Sequence, residues 1–265
     1  DYRAMLLQWR KHRVFIDGGY IIGFPGDTPE TIRRDVDILT RELPMDRVMF
    51  YWLTPLPGSA DHKALYERGV PMDADLNNYD LHHLTTAHPV MTREEWFGAF
   101  QEAWRSYYSV EHIKTLMRRG RTNGVSPGNI MGSSIAVYVY AVVEGVQPLE
   151  SGIVRRRVRR ERRPGLPIEH PLVFYPKYLT RSAIGYGKAI AMLLPLALER
   201  HRLKRDPEAK HYLDRALTPV DDQEIDDLEM YSVTDAAVAA VALHKDKQRQ
   251  RAQRRATTEA AAGRA

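Results

Sequence analysis

The chain has 265 residues, of which 43% are hydrophobic and 28% charged, enough to bury the core of one large domain or two small ones. Lysine and arginine total 39 against 34 aspartate and glutamate, a formal net charge of +5 that is too mild to require a polyanionic partner. Cysteine is absent, which excludes disulfides, thiolate metal sites and a cysteine nucleophile, and makes a cytoplasmic location the expectation. The N-terminus carries no basic stretch followed by an apolar run and a small-residue cleavage site. The longest apolar runs, Ser134 to Val143 and Ala189 to Leu198, fall short of the ~20 residues needed to cross a bilayer. The chain opens at Asp1, and Ala4 to Trp9 already has the pattern of a helix interior, as a piece of something longer would.

In chain order, Tyr2 to Lys11 places Met5, Leu6 and Trp9 at helical spacing, and Val14 to Phe24 is a β-branched and aromatic run containing Gly18 and Gly19. Thr28-Pro29-Glu30 then supplies a cap, a first-turn proline and an acid for the positive end of a helix reaching about Leu43. Arg47 to Leu53 is a second apolar strand, ended by Thr54-Pro55-Leu56-Pro57-Gly58. Strand, helix and strand with short links predict a right-handed parallel βαβ unit. Beyond residue 60 the pattern turns helical. A helix covers about Asp61 to Arg68, and a long amphipathic one runs from Thr92 to about Arg119 with Trp96, Phe100, Trp104 and Tyr108 as a packing stripe. Asn129 to Val143 forms another. The arginines from Arg155 to Arg163 precede Pro164, Pro167, Pro171 and Pro176, which predict an extended strap. Helices resume from Tyr178 to Lys204 and from Ser232, before a basic tail low in apolar residues.

Glycines at 18, 19 and 23 remove side chains near the carboxyl end of the first strand, so that a ligand or another backbone can approach. In parallel α/β folds ligands gather at that end, beside the N-terminus of the next helix; a ligand-free tight turn is the alternative. Gly19-Tyr20-Ile21-Ile22-Gly23 resembles the Gly-x-Ile-x-Gly fifth strand of radical S-adenosylmethionine (SAM) barrels. Residues 19–32, followed at helix length by residues 49–62, look like the fifth and sixth strands of the cobalamin-binding radical SAM proteins. Residues 72–96 are similar to one bacterial subgroup of that family. The resemblance covers roughly Tyr2 to Arg119.

The resemblance implies an α/β fold, a partial TIM-like barrel of about two parallel strands followed by a mainly helical extension. It divides the chain into barrel (1–60), helical region packing on it (61–150), Arg/Pro-rich linker (151–177), helical extension (178–244) and basic tail (245–265). It implies that Gly19, Ile21, Gly23, Phe24 and Pro25 border the adenosine of SAM and that Leu53, Thr54, Pro55 and Leu56 close over the adenine. The family's [4Fe–4S] cluster is held by three cysteines after its first strand, and its cobalamin by an N-terminal domain. With no cysteine and room for only the last strands, this chain is expected to be inactive without the missing half of the barrel. The resemblance implies a radical-initiated parent reaction, a methyl transfer or another carbon-centred modification.

Two rival readings compete. Asp61, His62, Asp73, Asp75, Asp80, His82, His83 and His88 have the residue types of a metal hydrolase, yet no pair has His-Glu-x-x-His spacing. Asp61, His62, His82 and His83 are instead expected to contact substrate or brace the barrel mouth. The arginines of Arg155 to Arg163 are the second rival, as a binding site for nucleic acid or an anionic membrane surface. No aromatic residue is interleaved in that run to stack on bases, so a solvated charge run is the simpler expectation.

Overall fold

The structure is a computed structural model and describes residues 2–146, 157–162, 165–218 and 242. It is an α/β chain in which a two-stranded parallel sheet is surrounded by helices. In order these are α1 (Tyr2–Arg10), β1 (Asp17–Ile22), α2 (Pro29–Arg41), β2 (Arg47–Trp52), α3 (Ala60–Glu67), α4 (Arg93–Tyr107), α5 (Val110–Asn123), α6 (Pro127–Tyr138) and α7 (Pro171–Arg205). β1 and β2 pair in register from Asp17 opposite Arg47 to Ile22 opposite Trp52. The predicted strand-helix-strand unit is therefore present, although β1 begins at Asp17 rather than Val14.

One face of the sheet carries Tyr20, Ile22, Val48, Phe50 and Trp52, and these meet the aromatic stripe of α4. Phe50 is edge-on to Trp104 at 5.1 Å, and Trp52 stacks on Phe100 at 3.9 Å. Ile32, Val36 and Leu39 of α2 close the core beneath α4. Thr28 caps α2 in a reciprocal box with Thr31, which fixes where the helix starts directly after the β1 loop.

Buried charges hold the ends of this unit. Arg10 donates to Asp46 at 2.8 Å and to the Pro44 carbonyl at 3.0 Å, while Asp46 also accepts the Ile16 amide. Arg119 of α5 reaches the Thr40 carbonyl at 2.9 Å and Asp214 at 2.7 Å, placing a cation at the negative end of α2.

Three expectations are corrected. The helix predicted from Thr92 to Arg119 is two, because Tyr108 ends α4 and the Ser109 hydroxyl accepts the His112 amide to start α5. The helix expected to run to Val143 gives way at Val139 to wider π-type turns ending at Glu144. Pro171 and Pro176 do not form a strap: both lie in α7, Pro171 in its first turn. The Leu172 carbonyl that Pro176 leaves without an amide belongs to an exposed residue, so water can satisfy it. Arg155, Arg156, Arg163, Pro164, the helix expected from Ser232 and the tail 245–265 lie outside the described residues.

Candidate functional site

The tips of the two strands lie together. The Leu53 amide donates to the Ile22 carbonyl at 2.9 Å, bringing Gly23, Phe24 and Pro25 beside Leu53, Thr54, Pro55 and Leu56. The Thr54 hydroxyl donates to the Trp52 carbonyl, and Ser59 caps α3 just beyond. Asp27 shapes the first loop: one carboxylate oxygen accepts the amides of Gly23 and Phe24, both at 2.8 Å. Phe24 and Leu56 remain about half exposed.

The glycines divide into two kinds. Gly23 has φ of +112°, and a Cβ there would lie 2.2 Å from the Trp96 ring, so its notch is filled by an indole of this chain. Gly18 is likewise filled by Met45. Gly19 differs: it is exposed, and a Cβ would touch only the edge of Tyr51, at 3.2 Å. Gly19 shares the second sheet face with Ile21, 43% exposed, and with Met49 and Tyr51. The resemblance-based set thus separates into an open part, Gly19, Ile21, Phe24, Pro25 and Leu56, the half-buried Leu53 and Thr54, and two closed positions, Gly23 and Pro55.

The two edges of the sheet also differ. The bonds from Arg47 and Leu53 amides to Ile16 and Ile22 carbonyls turn the even-numbered residues of β1 toward β2. On the far edge of β2, the Trp52 amide donates to the Leu81 carbonyl and the Val48 carbonyl accepts the Tyr108 hydroxyl. On the far edge of β1, the amides and carbonyls of Gly19 and Ile21 meet no ladder partner among the described residues.

Histidines surround the tip. His88, grouped by sequence with metal-type residues, donates from Nε2 to the Phe24 carbonyl at 2.9 Å while Nδ1 accepts the amides of Val90 and Met91. Those two amides fix its tautomer, so His88 is a clamp on the β1 loop. No spacing motif could have revealed this, because the contact spans 64 positions. His82 donates from Nε2 to the Gly145 carbonyl at 2.9 Å, and its own carbonyl accepts the Trp52 indole N–H. His83 pairs with Asp80 at 2.8 Å. His62 lies in the first turn of α3 with its ring 5.8 Å from Tyr79, and Asp61 is exposed beside it. Asp73 accepts the Asn78 side-chain amide at 2.7 Å, which holds its carboxyl below the usual value. Among the described residues no three histidines and carboxylates converge as metal ligands.

Two further groups are perturbed. Burial raises the Tyr20 phenol well above its ordinary value, reinforced by its hydrogen bond to Asp35 of α2; burial also raises Asp35. Burial pushes His112 down to about 4, so a neutral imidazole donates to the Tyr107 carbonyl at 2.6 Å. The first pair ties β1 to α2 and the second ties α5 to α4.

In the arginine run, Arg159 donates to the Glu169 carbonyl and Arg162 pairs with the Glu169 carboxylate at 3.4 Å. The chain matches no protein-family model, and no curated protein or solved structure matches it.

Proposed function

We propose that the chain is the C-terminal part of a cobalamin-binding-type radical SAM enzyme, with β1 and β2 as the fifth and sixth strands of its partial barrel. The observation that carries this reading is the parallel pair whose carboxyl tips lie side by side, with the outer edge of β1 left open for a preceding strand. The exposed face of Gly19 and Ile21 would lie against the adenosine of SAM, and Leu56 and Phe24 would cover it as apolar walls. Gly23 would act indirectly, by admitting Trp96 behind the loop.

The residues present do not fit an iron–sulfur cluster, because the chain has no cysteine; no step of the reaction belongs to this chain alone. Its part is to bind and orient the nucleoside, while the missing half of the barrel would hold the cluster and an N-terminal domain any cobalamin. His88, through the Phe24 carbonyl, and His82, through the Trp52 indole, would brace the mouth, whereas His83 pairs with Asp80 of its own turn.

The sequence encoded in frame upstream of Asp1 tests this reading. A Cys-x3-Cys-x2-Cys triplet a barrel's length ahead is the expected result. A start codon and ribosome-binding site immediately before Asp1 would leave a non-catalytic helical module instead. In the full-length protein, Ile21→Asp and Leu56→Asp should each weaken SAM binding by about tenfold, since each puts a charge on an apolar wall; equilibrium dialysis measures it. The second reading, a module that docks on an acidic surface, is favoured by the basic and apolar exterior of α7.

A further inference from the structure

Helix α7 is anchored by one narrow seam. Met192, Leu196, Glu199 and Leu203 are buried against the body of the protein, Glu199 accepts Arg118 of α5 at 2.7 Å, and Phe174 is buried beside Tyr178 of the same helix. The rest of its circumference faces outward. Leu172, Tyr175, Leu179, Tyr186, Ile190 and Leu194 are all more than half exposed, Leu172 to 79%. Helical periodicity lines these six along one flank, about 35 Å long at 1.5 Å per residue. Arg181, Lys188 and Lys177, which pairs with Glu169 at 3.1 Å, lie along the opposite flank, and Arg200, Arg202, Lys204 and Arg205 crowd the C-terminal end. The helix has no exposed acid, because Glu199, its one carboxylate, is buried.

We infer that α7 is a peripheral docking helix for an anionic lipid bilayer, lying in the interface with its apolar stripe in the acyl boundary and its cations among the headgroups. A continuous exposed stripe of this length marks an interaction surface, and the arginines and lysine massed at its C-terminal end, on a helix with no exposed carboxylate, select a negative one. Tyrosines at 175 and 186 suit the headgroup level. Beside the stripe, between α7 and the segment after α6, opens a cleft of about 550 Å³ lined by Val143, Leu179, Tyr186, Arg157 and Arg181. Glu144 also lines it, beside the two arginines. Nucleic acid leaves the stripe uncovered. Among the described residues no helix is long and apolar enough to cross a membrane, and the docking is peripheral.

Flotation of the whole chain with vesicles tests this independently of the radical SAM reading. The protein should float with phosphatidylcholine vesicles containing phosphatidylglycerol, float far less with phosphatidylcholine alone, and detach as salt is raised. The double variant Leu179→Glu with Ile190→Glu should lose tenfold or more in partitioning, and Lys204→Glu with Arg205→Glu a comparable amount, with circular dichroism unchanged. Absence of flotation on the anionic vesicles overturns the proposal. So does flotation that both folded variants retain, or a dimer seen without vesicles that the α7 variants dissolve.

Discussion

At Gly23 two demands coincide on one residue: a positive φ and an indole packed where a side chain would stand. Gly23→Ala should therefore cost about 2 kcal/mol or more, read as a lower denaturant midpoint, because strain and overpacking both apply. Asp46 presents the opposite case, a carboxylate buried for the sake of Arg10, with side chains only 0% and 2% exposed. Removing it in Asp46→Ala should destabilise by about 3–5 kcal/mol, since it strands a buried guanidinium. His112 sets a pH dependence. Its folded value near 4 lies below the ordinary 6.5, so between the two the imidazole is neutral in the folded state and charged in the unfolded one. The contribution is complete above pH 6.5 and falls as pH drops from there toward 4, by about 3 kcal/mol in all. Urea midpoints measured across that window should decline, and His112→Gln should flatten the decline.

Among the elements, the strand-helix-strand unit was legible because its signals are local. Thr28-Pro29-Glu30 starts α2, and the apolar runs that become β1 and β2 are short and bounded by turns. The break between α4 and α5 was not legible from an aromatic repeat of four that runs straight through it. Ser109 carries the signal, an N-cap hydroxyl followed by Glu111 in the first turn. Ser109→Ala should lower stability by about 1 kcal/mol in thermal denaturation. Prolines misled at α7, where Pro176 is tolerated because the carbonyl it orphans faces water. Of the three glycines read as an opening only Gly19 stands open, and the filling of Gly18 by Met45 and of Gly23 by Trp96, like the His88 clamp on Phe24, arises from tertiary contacts that no periodicity encodes.

For the whole molecule, one sheet edge decides how the chain behaves. The edge of β2 is covered by Leu81 and Tyr108, while that of β1 offers Gly19 and Ile21 to any extended partner. The isolated chain should therefore associate with rising concentration in sedimentation velocity, and Ile21→Lys should reduce that association by charging the edge strand. In the full-length protein the preceding strand of the barrel would occupy this edge, and the nucleoside would sit across both tips. The direct measurement is release of 5′-deoxyadenosine from SAM by the product of the whole reading frame, reconstituted with iron and sulfide without oxygen. The account predicts release that Ile21→Asp and Leu56→Asp diminish while the cluster's absorbance is retained; a full-length product that binds no cluster and cleaves no SAM would contradict it.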